Sequence, residues 1–303
     1  METLSVKKIF ELQGHEDALY ALSAGPENQQ VYSAGSDRLI VTWDLQTQRS
    51  LKVLAKATET VYSLCLLKDA QLLCIGNKSG EIHILDLQAQ AEIKNIKLQA
   101  QPVFDIQYNA KFQFIVVASG TGFVHILNAE TFTLLASFQE STSAARTIAM
   151  HPDQKTFAIG YSDNSIRLFD TSTLKVIKIL SEHTASVFTL AYSPDGNFLL
   201  SGSRDAHLKV WDTTKDYLLK QDIVAHLFTI NSIVYHPSGM YFATGSRDKT
   251  IKIWDAKTFK LLKVLTKSRD GGHSHSVNKL LWTGFNHLLI SCGDDRSLLA
   301  WQV

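Results

Sequence analysis

The segment SGSRDAHLKVWDT at 201–213 returns as TGSRDKTIKIWDA at 244–256, and this pairing belongs to a longer series. Aligning on the closing dipeptide gives Trp43-Asp44, Leu85-Asp86, Leu127-Asn128, Phe169-Asp170, Trp211-Asp212, Trp254-Asp255 and Trp301-Gln302, with steps of 42, 42, 42, 42, 43 and 47 residues. An interval of this length, held across the chain, makes each copy one supersecondary unit that must stack on its neighbours to bury its apolar face. No stretch remains for a second domain or a linker, so the expectation is one unit over 1–303.

Each copy has the same internal grammar. Copy five runs SVFTLAYSPDG, NFLLSGSRD, AHLKVWDTT and DYLLKQDIVAH. Short runs rich in Val, Ile, Leu, Phe and Tyr are separated by turn formers such as Pro-Asp-Gly and Asp-Thr-Thr, which predicts four short strands per copy and no helix. Four strands every 42 residues or so predict an all-β, seven-bladed β-propeller with four antiparallel strands per blade. The predicted blades span about 13–55, 56–98, 99–140, 141–180, 181–223, 224–266 and 267–303. Copy seven stops after three strands, while SVKKIFELQGH at 5–15 reads like the fourth strand LKVIKILSEH at 174–183. Residues 4–12 are therefore expected to supply the outer strand of the last blade and close the ring, which removes open sheet edges.

Composition narrows the function. The chain is 45% hydrophobic with 30 basic and 29 acidic residues, a balance that lacks the cationic surplus of a sequence-independent nucleic-acid binder. Its unbroken apolar runs are far shorter than the roughly 20 residues that span a bilayer. METLSVKKIFEL has no apolar core of a signal peptide. Cys65, Cys74 and Cys292 are odd in number, widely spaced and set in apolar stretches, which predicts free thiols in a reducing, cytoplasmic compartment. No phosphate-binding Gly loop, HExxH or CxxC occurs, so no cofactor and no metal are expected.

Four copies share polar residues at fixed offsets: His15, Ser33, Asp37, Trp43; His183, Ser201, Asp205, Trp211; His226, Thr244, Asp248, Trp254; and His273, Ser291, Asp295, Trp301. His precedes Asp by 22 residues and Asp precedes Trp by six in every set. With Gly14-His15, Gly272-His273 and the Trp-Asp pairs, the chain resembles the WD40-repeat propellers over its whole length. Copies two, three and four depart, reading Leu-Asp, Leu-Asn and Phe-Asp and lacking the His.

The resemblance implies that each set is a hydrogen-bonded structural tetrad. A buried indole N–H needs an acceptor, a hydroxyl supplies it, His takes the hydroxyl proton and Asp fixes the imidazole tautomer. A Ser-His-Asp set also invites a hydrolytic reading. Fourfold repetition with a Trp attached argues against it, because a hydrolase needs one exposed nucleophile beside an oxyanion hole. Copies two to four are expected to hold their loops by apolar packing and to form the softer arc of the ring.

The resemblance further implies that the loops before the first strand and between the second and third strands share one face, the top. Two position classes look onto it. The second residue of each innermost strand reads Tyr20, Tyr62, Phe104, Arg146, Phe188, Asn231 and Asn278. The residue before each turn Asp reads Ser36, Lys78, Gly120, Ser162, Arg204, Arg247 and Asp294. Aromatics and Arg dominate interface energetics, and Lys78, Arg204 and Arg247 add a positive arc suited to a carboxylate or phosphate. The longest loop, TKSRDGGHSHSV at 266–277, is expected on the same face and, with its Gly pair, to be mobile.

The expectation is a non-catalytic interaction scaffold, monomeric on its own, that binds a peptide or partner domain on the top face. It binds neither nucleic acid nor membrane. The alternative is a permanent structural subunit of a larger complex that uses the blade sides or the bottom face, with an apolar patch on copies two to four.

Overall fold

The computed structural model describes residues 4–67, 69 and 71–303. Residues 1–3 of the expected 1–303 unit, which open the stretch read for a signal sequence, lie outside the described residues. The strands form seven four-stranded antiparallel sheets, six of them running from an innermost to an outermost strand in chain order. The innermost strands are Leu19–Ala24, Val61–Leu67, Val103–Asn109, Ala145–Met150, Val187–Tyr192, Ile230–Tyr235 and Val277–Trp282.

The seventh sheet is completed from the other end of the chain. Lys7–Leu12 pairs antiparallel with Leu298–Gln302, in the register Lys7↔Gln302 to Leu12↔Leu298. Leu12 is buried with Val41, Trp43, Leu298 and Ala300 in a cluster that joins blades one and seven. Asn278 Nδ2 donates to the Leu19 carbonyl at 2.8 Å across the same junction.

Burial follows position within the blade. The second and third strands are enclosed between neighbouring blades, so FIVVAS at Phe114–Ser119 is buried at every residue and reads as a continuous apolar run. The outermost strands alternate partly exposed and exposed, as in VIKIL at Val176–Leu180. The glycine of the repeated phrase has a packing reason. A Cβ on Gly202 would stand 2.7 Å from Ile230 Cγ2, and one on Gly245 would stand 2.8 Å from Val277 Cγ1. Each glycine lets a β-branched residue of the next blade approach the second strand. Innermost strands are further tied blade to blade by side chains. Thr189 Oγ1 accepts the Ile233 N–H at 3.0 Å, Ser232 Oγ accepts the Leu280 N–H at 3.0 Å and Asp105 Oδ2 accepts the Ile148 N–H at 2.8 Å.

Two details depart from expectation. The 266–277 loop contains a capped helical turn, Lys267–Asp270, with the Thr266 side chain accepting from Arg269 N–H and Gly271 closing the turn at φ 70°. Asp270 Oδ2 accepts the Thr266 N–H at 2.8 Å, a reciprocal cap that a Gly-centred reading of the loop misses. Cys65 and Cys74 are free thiols as expected, but they stand opposite each other across a strand pair, a proximity that the wide-spacing reading did not give. Burial, with Asp105 nearby, pushes the Cys65 thiol up to about 12. Among the described residues no helix is long and apolar enough to cross a membrane.

Candidate partner-binding site

The four polar sets form hydrogen-bonded chains. In blade five the Trp211 indole N–H donates to Ser201 Oγ at 2.9 Å, the hydroxyl reaches His183 Nε2 at 2.8 Å, and His183 Nδ1 reaches Asp205 at 2.8 Å. Blades one, six and seven repeat the pattern, with Thr244 standing in for Ser in blade six. One order of donation satisfies every group: indole to hydroxyl, hydroxyl to Nε2, and Nδ1–H to carboxylate. Burial alone would raise Asp205. The His183 hydrogen bond and charge, with the backbone N–H groups of His207 and Thr184, outweigh burial and hold the carboxyl well below its usual range. Ser201 is fully buried, so its hydroxyl has no opening to a substrate.

Blades two to four correct the expectation that their loops are held by apolar packing. At the positions of His and Asp, Thr121 Oγ1 donates to Gln99 Oε1 at 3.0 Å in blade three, and Ser141 Oγ donates to Asp163 at 2.7 Å in blade four. In blade two, Glu81 accepts from Thr58 at 3.0 Å and from Asn77 at 3.1 Å. Only the Ser–Trp half of the tetrad is replaced by apolar pairs, Ile75 with Leu85, Val117 with Leu127, and Ile159 with Phe169, all of them buried. Both polar partners are gone together, so neither is left unsatisfied.

The second residues of the seven innermost strands converge on one cavity of about 250 Å³ at the mouth of the central channel. Around five successive blades they make a continuous contact series. Tyr20 and Tyr62 have ring centroids 5.4 Å apart, and Tyr62 and Phe104 are 5.6 Å apart. The Arg146 guanidinium then lies over Phe104 at 4.8 Å and over Phe188 at 4.6 Å. Asn231 and Asn278 complete the circle.

The residues before the turn Asp divide into two groups. Some brace the ring: Ser162 Oγ accepts from Arg146 Nε at 2.5 Å, Asp294 accepts from Asn278 Nδ2 at 2.7 Å, and Ser36 Oγ lies 3.4 Å from the Tyr20 hydroxyl. Lys78, Arg204 and Arg247 are exposed on their loops and do not line the cavity. Burial, with a further contribution from Arg204, lowers the Arg146 guanidinium from its ordinary value.

Sequence reading overlooked two features. The next residue along each innermost strand also faces the channel. Asp105 and Lys279 line both the mouth and a second cavity of about 380 Å³ below it. Stepping one position along the aligned strands would have found them. Above blade six, Leu227 and Phe228 are 83% and 57% exposed in the loop before the innermost strand. That loop is tied to the next one on the same face, because Arg247 N–H donates to the Thr229 carbonyl at 3.0 Å and Ser246 Oγ donates to the Phe228 carbonyl at 3.2 Å. A large apolar pair directly after a tetrad His, where the other three copies read Glu-Asp, Thr-Ala and Ser-His, was the available signal.

The apolar side chains on the blade sides do not gather on blades two to four. They are spread over all seven outer strands, from Ile9 through Leu51, Ile93, Leu134 and Ile177 to Leu218 and Leu261. Among the described residues no group of three or more His, Cys, Asp or Glu is placed to hold a metal ion.

The family model for the WD domain, G-beta repeat, matches residues 6–44, 132–170, 174–212, 218–255 and 259–302, about two thirds of the chain. The unmatched interval contains blades two and three, whose tetrad positions carry other residues. No curated protein matches the chain.

Proposed function

The chain belongs to the WD40-repeat family, whose propellers generally mediate protein–protein interaction, and from that premise we propose that it is a non-catalytic module that captures a peptide segment at the mouth of its central channel. The observation that carries this reading is the continuous aromatic and guanidinium arc Tyr20, Tyr62, Phe104, Arg146 and Phe188 around an open cavity. Partly exposed aromatics clustered in a concave site are the residues that supply most of the energy of binding. Their bases are fixed by a rigid sheet ring and by the bracing residues, so little ordering entropy opposes association.

A segment leaving the mouth over blades five and six meets Arg204, Arg247 and the Leu227–Phe228 pair in sequence around the ring. These supply a positive rim and an apolar anchor point. The test is cross-linking capture from native extract with wild type and with Tyr62→Ala/Phe104→Ala/Phe188→Ala, after melts show both to be folded. A partner lost by the triple variant is expected. A partner held equally by both moves the interface to the blade sides or the bottom face, as for a permanent subunit.

A further inference from the structure

We infer that the channel mouth selects a peptide group bearing a carboxylate beside an apolar side chain, with Arg146 as the carboxylate's partner; this deepens the peptide-binding reading above and rests on it. The starting point is the charge in the cavity. One acidic and two basic side chains line it: Asp105, Lys279 and Arg146. Asp105 lies on the floor, where its carboxylate already accepts the Ile106 and Ile148 N–H groups at 2.9 and 2.8 Å and the Gln107 amide at 3.3 Å. Burial pushes the Asp105 carboxyl up from its ordinary value and Lys279 opposes that push, so the floor acid has its own cation. Arg146 is left over.

The guanidinium is half-buried and makes one hydrogen bond, from Nε to Ser162. Among the described residues, Nη1 and Nη2 have no partner and no carboxylate lies within ion-pair distance of it. On the rim, the Asp294 carboxylate is engaged by Asn278. The guanidinium lies over both Phe104 and Phe188 and is tethered through Nε to Ser162, which positions its two free nitrogens as a fork. A pre-set fork with unused parallel donors in a partly desolvated site is the geometry that a carboxylate fills with two charge-assisted hydrogen bonds.

The rest of the wall defines what stands next to that carboxylate. Tyr20, Tyr62 and Phe104 form an unbroken aromatic surface on one side of Arg146, suited to an apolar or aromatic side chain. On the other side Asn231 spends its amide N–H groups on Ser276 and Val277, which leaves its carbonyl oxygen as an acceptor for a peptide N–H. Carboxylate, apolar side chain and amide N–H are three features of one amino-acid residue at a peptide terminus, or of an acidic residue followed by an aromatic one. The cavity volume of about 250 Å³ is of single-residue scale.

The experiment uses the full chain and three probes: N-acetyl-phenylalanine, N-acetyl-aspartyl-phenylalanine amide and neutral N-acetyl-phenylalanine amide. Binding is followed by NMR titration at low salt. Wild type is expected to bind at least one acidic probe about tenfold or more tighter than the amide, and the tighter acidic probe reports whether a chain terminus or a side chain is read. Arg146→Gln should reduce the preference to within about twofold, while Arg146→Lys, which keeps the charge and loses the fork, should fall between. Thermal melts establish that both variants are folded. Equal binding of acid and amide by wild type, persistence of the preference in Arg146→Gln, or no binding of any probe overturns the inference. The capture experiment with the aromatic triple variant does not depend on the probe's charge, so it judges the module reading separately.

Discussion

Removing one oxygen atom from blade five tests the tetrad directly. Ser201→Ala leaves both the Trp211 indole N–H and the His183 Nε2 without the hydroxyl they share, in a site where Ser201 is fully buried and Trp211 and His183 are nearly so. Each buried group that loses its partner costs about 1–3 kcal/mol, giving about 2–6 kcal/mol for the pair. At about 2 °C per kcal/mol for a chain of this size, the melting midpoint should fall by about 4–12 °C. Ser201→Thr is the control. Thr244 already does the same work in blade six, accepting from Trp254 at 2.9 Å and reaching His226 at 2.7 Å. An added methyl in a closed site costs about 1–3 kcal/mol, and the lower end is expected because blade six already seats a Thr at this position. Calorimetry of the three proteins decides the matter. A Ser201→Ala midpoint within about 1 °C of wild type, or a Thr variant as damaged as the Ala variant, refutes the reasoning.

Three further outcomes follow from the same physics. Deleting residues 1–12 removes the strand paired with Leu298–Gln302 and the buried Leu12 and Val6, at about 2 kcal/mol for each side chain beyond the lost backbone pairing. Aggregation on expression or a midpoint lower by at least about 8 °C is expected, and a soluble truncation melting like wild type would show the ring closure to be dispensable. In acid, His226 loses stability first. Burial holds it below its ordinary 6.5 despite Asp248, so the unfolded chain takes up the proton earlier and stability declines as pH drops through and below about 6.5. Asp205, Asp248 and Asp295, all held below their ordinary 3.8, contribute stability that is complete above about pH 4 and lost as pH falls below it. A midpoint that stays flat from pH 7 to pH 3 contradicts these assignments. Finally, amide exchange in the middle strands of blades two to four should run within about tenfold of blades five and six, because their loops carry hydrogen bonds of their own. Exchange a hundredfold faster there would restore the softer-arc expectation.

The architecture was legible because its determinants are local and repeated. Strand pattern, turn residues and the spacing of His, Ser, Asp and Trp recur at fixed offsets, and one blade's chemistry predicts the next. Ring closure was legible because a missing fourth strand at one terminus matched a spare strand at the other. The mouth residues could be read from the alignment of innermost strands, but their relations could not. That Arg146 is clamped between Phe104 and Phe188 depends on the rotation between blades four, three and five, which no offset encodes. The loops of blades two to four were misread because Gln99–Thr121 and Ser141–Asp163 make the same link with different residue types, and Thr58–Glu81 makes a similar one just beside it. The Thr266 cap was hidden behind the Gly271-Gly272 pair, whose first glycine ends the helical turn.

The central claim, that the mouth of the channel is the docking surface, is tested most directly by mapping amide-exchange protection on the protein with its captured partner bound. The account predicts slowed exchange at the starts of the innermost strands around Tyr20, Tyr62, Phe104, Arg146 and Phe188, extending to the Leu227–Phe228 loop. Protection confined to the outer strands, such as Ala91–Lys97, Leu134–Gln139 and Val176–Leu180, with the mouth unchanged, would contradict it and assign the interface to the blade sides.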